Sequence, residues 1–140
     1  MKWRHLEVPK FEDPRGNLSV IEGSVHVPFD IARMYYLYGV PAGELRAGHA
    51  HKRLRQFFVA LSGSFTLRLE DGAVSDSIDM SAPNIGLLVE PGVWRVLENF
   101  SPGAVCLVLA SLVYDEADYI RDYDDFSRYV RAERAADPVF

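Results

Sequence analysis

The chain has 140 residues, 49% apolar and 25% charged, which suits one soluble domain spanning residues 1–140 with a real hydrophobic core. A net charge of −5 argues against a nucleic-acid-binding surface and leaves room for no more than a local basic pocket. The single cysteine, Cys106, lies in the apolar run AVCLVLA, so it reads as a buried small hydrophobe, and disulfides and cysteine metal sites are excluded.

The N-terminal stretch MKWRHLEVPKFEDPRG carries no apolar run of the signal-peptide kind, and no segment has the length of a membrane span. The expected compartment is the cytoplasm, with no membrane partner. Along the chain, Pro and Gly punctuate short segments rich in β-branched and aromatic residues, the pattern of an all-β sandwich or barrel. Predicted strands are LSVIEG (18–23), DIARMYYLYG (30–39), RQFFVALSG (55–63), SFTLRLEDG (64–72), IGLLVEPG (85–92), WRVLENF (94–100) and AVCLVLAS (104–111). LSGSF and LEDGA carry hairpin chemistry, since Gly supplies positive φ cheaply. In SFTLRLE, Phe65, Leu67 and Leu69 share one face and Thr66, Arg68 and Glu70 the other. The tail DEADYIRDYDDFSRYVRAERAA changes period. Tyr119, Ile120, Tyr123, Phe126 and Val130 recur every three or four residues, which predicts an amphipathic helix packed on the sheet. Asp115, Glu116 and Asp118 would sit near its positive end.

The chemistry concentrates in RAGHAH (46–51). On a strand, His49 and His51 project to one side, as Ala47 would. Imidazole titrates near neutral pH and can take and return a proton there. His5 and His26 lack such company and read as surface residues. Arg33 and Tyr35 are expected on one face of their strand, with Tyr36 and Tyr38 on the other. An inward Arg needs an anionic partner, because an unpaired buried charge is very costly. A ligand phosphate serves, through bidentate contacts. Arg15, Arg46 and Arg95 are further candidates, although with 20 acidic residues ordinary ion pairing claims at least one of the four. Lys52, Arg53 and Arg55 read as a solvated patch. Trp94 is a candidate to stack on a base or a sugar, or else a core residue.

The spacing of Gly43, His49, His51 and Gly63 resembles the first motif of the cupin barrels, with Gln56 in the place of its Glu. Gly86, Pro91 and Asn99 fit the second motif, with Arg95 in the place of its His. The usual cupin metal set of three His and one Glu therefore loses two members, one to an amide and one to a cation. Arg cannot become a ligand, and two imidazoles alone make a poor site. No metal and no cofactor are expected.

Over nearly its whole length, from DPRGNLSVIEG to DFSRYV, the chain resembles the dTDP-sugar 3,4-ketoisomerases, small cupins. The carrying stretches are VPFDIARMYYLYGVPAGE, HAHKRLRQFFVALSGS, GLLVEPGVW and NFSPGAVCLVLASLVYDEADYIRDYDDF, the last being the most specific. One departure is Ala47, where the family usually has Gly. The resemblance implies a cupin jelly roll with a C-terminal helix and an isomerase of dTDP-4-keto-6-deoxy-D-glucose. Its product would be a 3-keto sugar for dideoxy-amino-sugar biosynthesis, destined for a polysaccharide or a glycosylated metabolite. It assigns His49, His51 and Tyr35 to catalysis, and Arg15, Arg33 and Arg46 to the sugar-nucleotide site, beside the candidates Trp94 and Arg95. The pair Arg15–Gly16 resembles the branch that forms the galacto product rather than the gluco one. A homodimer is expected, since many cupins dimerise and edge strands invite pairing. Three other readings stay open: a dTDP-4-keto-sugar 3,5-epimerase, a non-catalytic sugar-nucleotide-binding cupin, and a metal-dependent dioxygenase, which Gln56 and Arg95 disfavour.

Overall fold

Alternation along the strands builds the molecule. The computed structural model describes residues 1–136 as twelve strands and one α-helix. The strands are β1 (Trp3–Glu7), β2 (Lys10–Asp13), β3 (Gly16–Ser19), β4 (Arg33–Tyr38), β5 (Arg46–His51), β6 (Gln56–Ser62), β7 (Phe65–Glu70), β8 (Ser75–Met80), β9 (Ile85–Val89), β10 (Trp94–Glu98), β11 (Val105–Ala110) and β12 (Tyr119–Ile120), followed by α1 (Tyr123–Ala136). One five-stranded sheet runs β1-β9-β6-β11-β4, the other β12-β5-β10-β7-β8, and β2-β3 form a separate ribbon. The result is an all-β jelly roll of two sheets with one C-terminal helix.

The sheets bury a shared core in which Phe58, Leu87, Val89, Cys106 and Val108 of the first meet Phe65, Leu67, Leu69, Met80 and Leu97 of the second. The first sheet is covered on its other face as well, where Phe57, Val59, Leu88 and Leu109 pack under Val8, Val27 and Phe29. That is why FFVA in β6 is a continuous apolar run: a strand buried on both faces has no solvent face to alternate with. Burial pushes the Cys106 thiol up to about 12, so it stays an inert hydrophobe.

Three expectations change. The predicted helix over residues 115–122 is absent. Asp115 instead caps a 3₁₀ turn (Glu116–Asp118), accepting from the Ala117 N–H at 3.1 Å. Tyr119 and Ile120 then form β12, paired with His51 and Ala50 of β5. The α-helix starts at Tyr123, because Asp122 accepts from the Asp125 N–H at 2.9 Å in the N-cap geometry. Second, of LSVIEG, only Leu18 and Ser19 belong to a strand, and Ile21 turns in against the outer cluster of the first sheet. Third, β8 (SDSIDM) escapes notice in the sequence because it is an exposed edge strand burying Met80 alone, and polar residues protect such edges. No helix among the described residues is long and apolar enough to cross a membrane.

Candidate active site

The site lies on the inner face of the second sheet, where β5 pairs with β10. His49 stands opposite Arg95, and Arg46 opposite Leu97, with a register shift between the two pairs. Residues 46 and 49 are an odd number apart, so strict alternation would put them on opposite faces. The shift sets two residues of β5 against one of β10, a bulge that re-aims the chain. Arg46 and His49 consequently line one cavity of about 510 Å³, together with Arg33, Tyr35, Arg95, Tyr119 and Arg121 and an apolar wall of Leu37, Leu45, Phe58 and Leu97.

His49 and His51 share the inner face, with ring centroids 4.9 Å apart and their planes nearly perpendicular. Their surroundings differ. His49 is half-buried and lines the cavity. His51 is fully buried, and its Nδ1 lies 3.1 Å from Asp118 Oδ2. Asp118 also accepts from the Arg53 N–H at 2.8 Å and the Leu54 N–H at 3.3 Å, so one carboxylate pins the turn after β5 and the imidazole. Burial, followed by the Arg95 charge, pulls His51 down to about 2. It is therefore neutral, and donating Nδ1–H to Asp118 leaves the lone pair on Nε2. That nitrogen is buried without a hydrogen-bond partner. Tyr119 covers both rings, at 5.2 Å from His49 and 4.3 Å from His51.

Arg95 is the largest of the fully buried side chains. Its Nη2 donates to the Val93 carbonyl oxygen at 2.9 Å and its Nη1 to Gln56 Oε1. Gln56 Nε2 in turn donates to Tyr35 Oη at 2.8 Å. Burial pulls Arg95 down to about 10, still charged at neutral pH. Burial also raises the Tyr35 phenol, with the Arg95 charge opposing it, so Tyr35 is a protonated donor. Arg33 stacks on Tyr35 and Tyr114, and its Nε and Nη2 are buried without hydrogen-bond partners. Arg121 lies over the Tyr119 ring at 4.2 Å and is held by Glu116 at 2.7 Å. The described lining thus holds four arginines and no carboxylate. Arg33, half-buried with two unpartnered nitrogens, calls for an anionic ligand, and the exposed Arg46 lines the same cavity.

Of the predicted site residues, the cavity collects His49, Tyr35, Arg33, Arg46 and Arg95, with His51 directly behind His49. Two fall outside it. Trp94 points to the opposite face of β10 from Arg95, as alternation requires, and packs against Tyr123 and Phe126 of α1. Arg15 sits at the exposed turn of the β2-β3 ribbon, paired with Asp13 at 2.9 Å. Of the three residues read as a solvated patch, Lys52 and Arg53 are exposed and Arg55 is half-buried. Arg55 is ion-paired with Glu90 at 2.7 Å and Arg53 with Asp115 at 3.2 Å. Sequence reasoning missed Asp118, Tyr119 and Arg121 as site residues. Their signal was present in DEADYIRDY, but a helical reading of that stretch hid it. Among the described residues no three His, Cys, Asp or Glu side chains gather as metal ligands.

The profile of the family described as "FdtA: WxcM-like, C-terminal" matches residues 1–131. The chain belongs to that family. This FdtA-family protein is 42% identical over 130 residues to the TDP-4-oxo-6-deoxy-α-D-glucose 3,4-oxoisomerase of Aneurinibacillus thermoaerophilus, covering 93% of this chain and 94% of the relative. Its fold superposes on QdtA, a sugar 3,4-ketoisomerase from Thermoanaerobacterium thermosaccharolyticum solved with TDP. There the TM-score is 0.92 at 38% identity, over 94% of this chain and 96% of QdtA. The dTDP-4-dehydrorhamnose 3,5-epimerase of Bacillus anthracis shares the fold alone, with a TM-score of 0.73 at 18% identity over 84% of this chain and 76% of the epimerase. The Aneurinibacillus and Thermoanaerobacterium relatives are sugar 3,4-ketoisomerases, and this protein is an enzyme of their family.

Proposed function

We propose that this protein isomerises TDP-4-keto-6-deoxy-D-glucose to the TDP-3-keto-6-deoxy sugar, in deoxyamino-sugar biosynthesis. The observation that carries the reading is the four-arginine, carboxylate-free cavity with His49 and Tyr35 on its wall. The nucleotide diphosphate supplies the anion that Arg33 and Arg46 need, by bidentate contacts. A hydrogen next to a ketone is acidic because its loss gives an enediolate. His49 removes the C3 proton, and the electron pair of that C–H bond becomes the C3–C4 double bond as the C4 carbonyl oxygen takes the charge. Tyr35 donates to that oxygen, and the nearby charge of Arg95 lowers the cost of the anion. His51, neutral and oriented by Asp118, manages the second transfer: its Nε2 lone pair takes the O3 proton as the C3 carbonyl forms, the proton held by His49 passes to C4, and the O3 proton balances the one that Tyr35 gave to O4. No metal and no cofactor enter these steps.

The reading includes a cytoplasmic homodimer. Edge strand β4 exposes Met34, Tyr36 and Tyr38 beside the cavity, and the β2-β3 ribbon exposes Phe11 and Leu18. A second copy covering these surfaces is the route by which Arg15 would meet a cavity, and the galacto product is assigned on Arg15–Gly16. The test is proton NMR of TDP-4-keto-6-deoxy-D-glucose with the protein in D₂O. The expected result is a 3-keto sugar with deuterium at C4 in D₂O and, when the reaction is run in H₂O, the H4–H5 coupling of a galacto product. Deuterium at C5 would make the protein an epimerase. No change in a folded sample that binds TDP would leave a binding module.

A further inference from the structure

Gln56 opens β6 and is fully buried, with Ala110 on one side and Val89 on the other in the sheet. It touches none of the cavity volume itself, yet both ends of its amide are engaged by groups that do. Arg95 has donors alone, so the amide end facing it is the oxygen. The NH₂ end is then fixed toward Tyr35, whose oxygen accepts from it at 2.8 Å. An accepting Tyr35 must point its own hydrogen elsewhere, and the open side of this ring is the cavity.

We infer that Gln56 is a positioning residue for the isomerisation: its amide relays the orientation of Arg95 to Tyr35 and forces the phenolic hydrogen toward the substrate oxygen. The inference rests on the ketoisomerase reading for its consequence in turnover. The amide keeps three roles together. It holds the guanidinium beside the site of developing charge. It keeps that guanidinium unneutralised, as a carboxylate at this position would not. It also stabilises negative charge on the Tyr35 oxygen when that group shares its proton with the enediolate.

The decisive variant is Gln56→Glu, which is nearly isosteric and pairs with Arg95. A carboxylate has no hydrogen to give Tyr35, so the phenol turns and donates to it, away from the substrate. The expected outcome is a kcat lower by roughly 10²-fold, the loss typical for one misdirected oxyanion donor, with KM and TDP affinity unchanged. Tyr35→Phe should cost kcat heavily in the wild-type background and little in Gln56→Glu, because residues acting through one another are not additive. Full Tyr35→Phe sensitivity in Gln56→Glu, or unchanged kcat, overturns the inference. Should Gln56→Glu fail to fold, Gln56→Met removes the amide at similar volume and with it the constraint on the phenolic hydrogen and on Arg95; its kcat should fall, and an unchanged kcat overturns the inference. A readout without substrate separates this inference from the activity assignment. The Tyr35 phenol, titrated by ultraviolet difference against Tyr35→Phe, should ionise at higher pH in Gln56→Glu. An unmoved titration overturns the relay, whereas a wild-type enzyme that turns nothing over overturns the assigned reaction.

Discussion

Trp94 and Arg95 are neighbours in the chain and opposites in the fold. On the outer face of the second sheet, Trp94 joins Ala50, Ile120, Phe126 and Val130 in an apolar cluster closed by α1. So tight is that packing that a Cβ on Gly48 would lie 2.5 Å from the Trp94 ring, which is why the residue between Ala47 and His49 carries no side chain. On the inner face, Arg95, His49 and Leu97 border a cavity, across which Arg33 of β4 buries two nitrogens without hydrogen-bond partners. The same two strands therefore carry a face that stabilises the fold and a face that holds a buried charge, Arg95. Stability is spent where binding must be had, and the outer face makes the deficit tolerable.

The contrast breaks in opposite directions under mutation. On the inner face, His49→Asn should lower kcat by about 10²- to 10⁴-fold, the contribution of a positioned general base, with thermal stability unchanged; steady-state kinetics on the keto sugar checks it. Near-full turnover would move the C3 base elsewhere. On the outer face, Phe126→Ala should cost about 3–5 kcal/mol of stability, because this fully buried ring anchors α1. Urea unfolding reads that loss, and kcat of the protein still folded should hold. A smaller effect sharpens the comparison through pH. The His51 imidazole is pulled from 6.5 to about 2 in the folded protein, so below pH 6.5 the unfolded chain binds a proton that the folded one refuses. Stability then falls on acidification by up to about 1.4 kcal/mol per pH unit. The drop should be measurable between pH 6.5 and about 5, before most carboxylates titrate, and His51→Gln should flatten it. An equal slope in that variant would assign the acid sensitivity to another group.

Much of this was legible in local pattern. Alternation in SFTLRLE placed Phe65, Leu67 and Leu69 inside, and the i, i+2 rule put His49 and His51 on one face. Gly63 and Gly72 do adopt the positive φ that their hairpins require. The period-2 rule also contained the correction for Trp94, since two adjacent strand residues cannot both face one cavity. Where it failed was at Arg46, which alternation alone sends to the wrong side. A bulge is a property of the pairing between β5 and β10, and one strand read alone does not contain it. The tail failed for a related reason. Tyr119, Ile120 and Tyr123 satisfy a helical spacing, but β5 offers Tyr119 and Ile120 a strand partner, and Asp122 starts the helix three residues after Tyr119.

By itself the sequence determined the all-β class, the shared face of the histidine pair and the buried thiol, while the place of Gln56 and Arg95 at two cupin ligand positions is what the resemblance implied. The first three follow from side-chain chemistry and short-range periodicity, which are complete within a few residues. Only the tertiary structure decided that Asp118 orients His51 across 67 positions of chain. It also decided that Gln56 links Arg95 to Tyr35, that Arg46 enters the cavity, and that Arg15 and Trp94 lie outside it. Each of these depends on which strands pair and in what register, and register is set by the burial of whole faces rather than by any one residue.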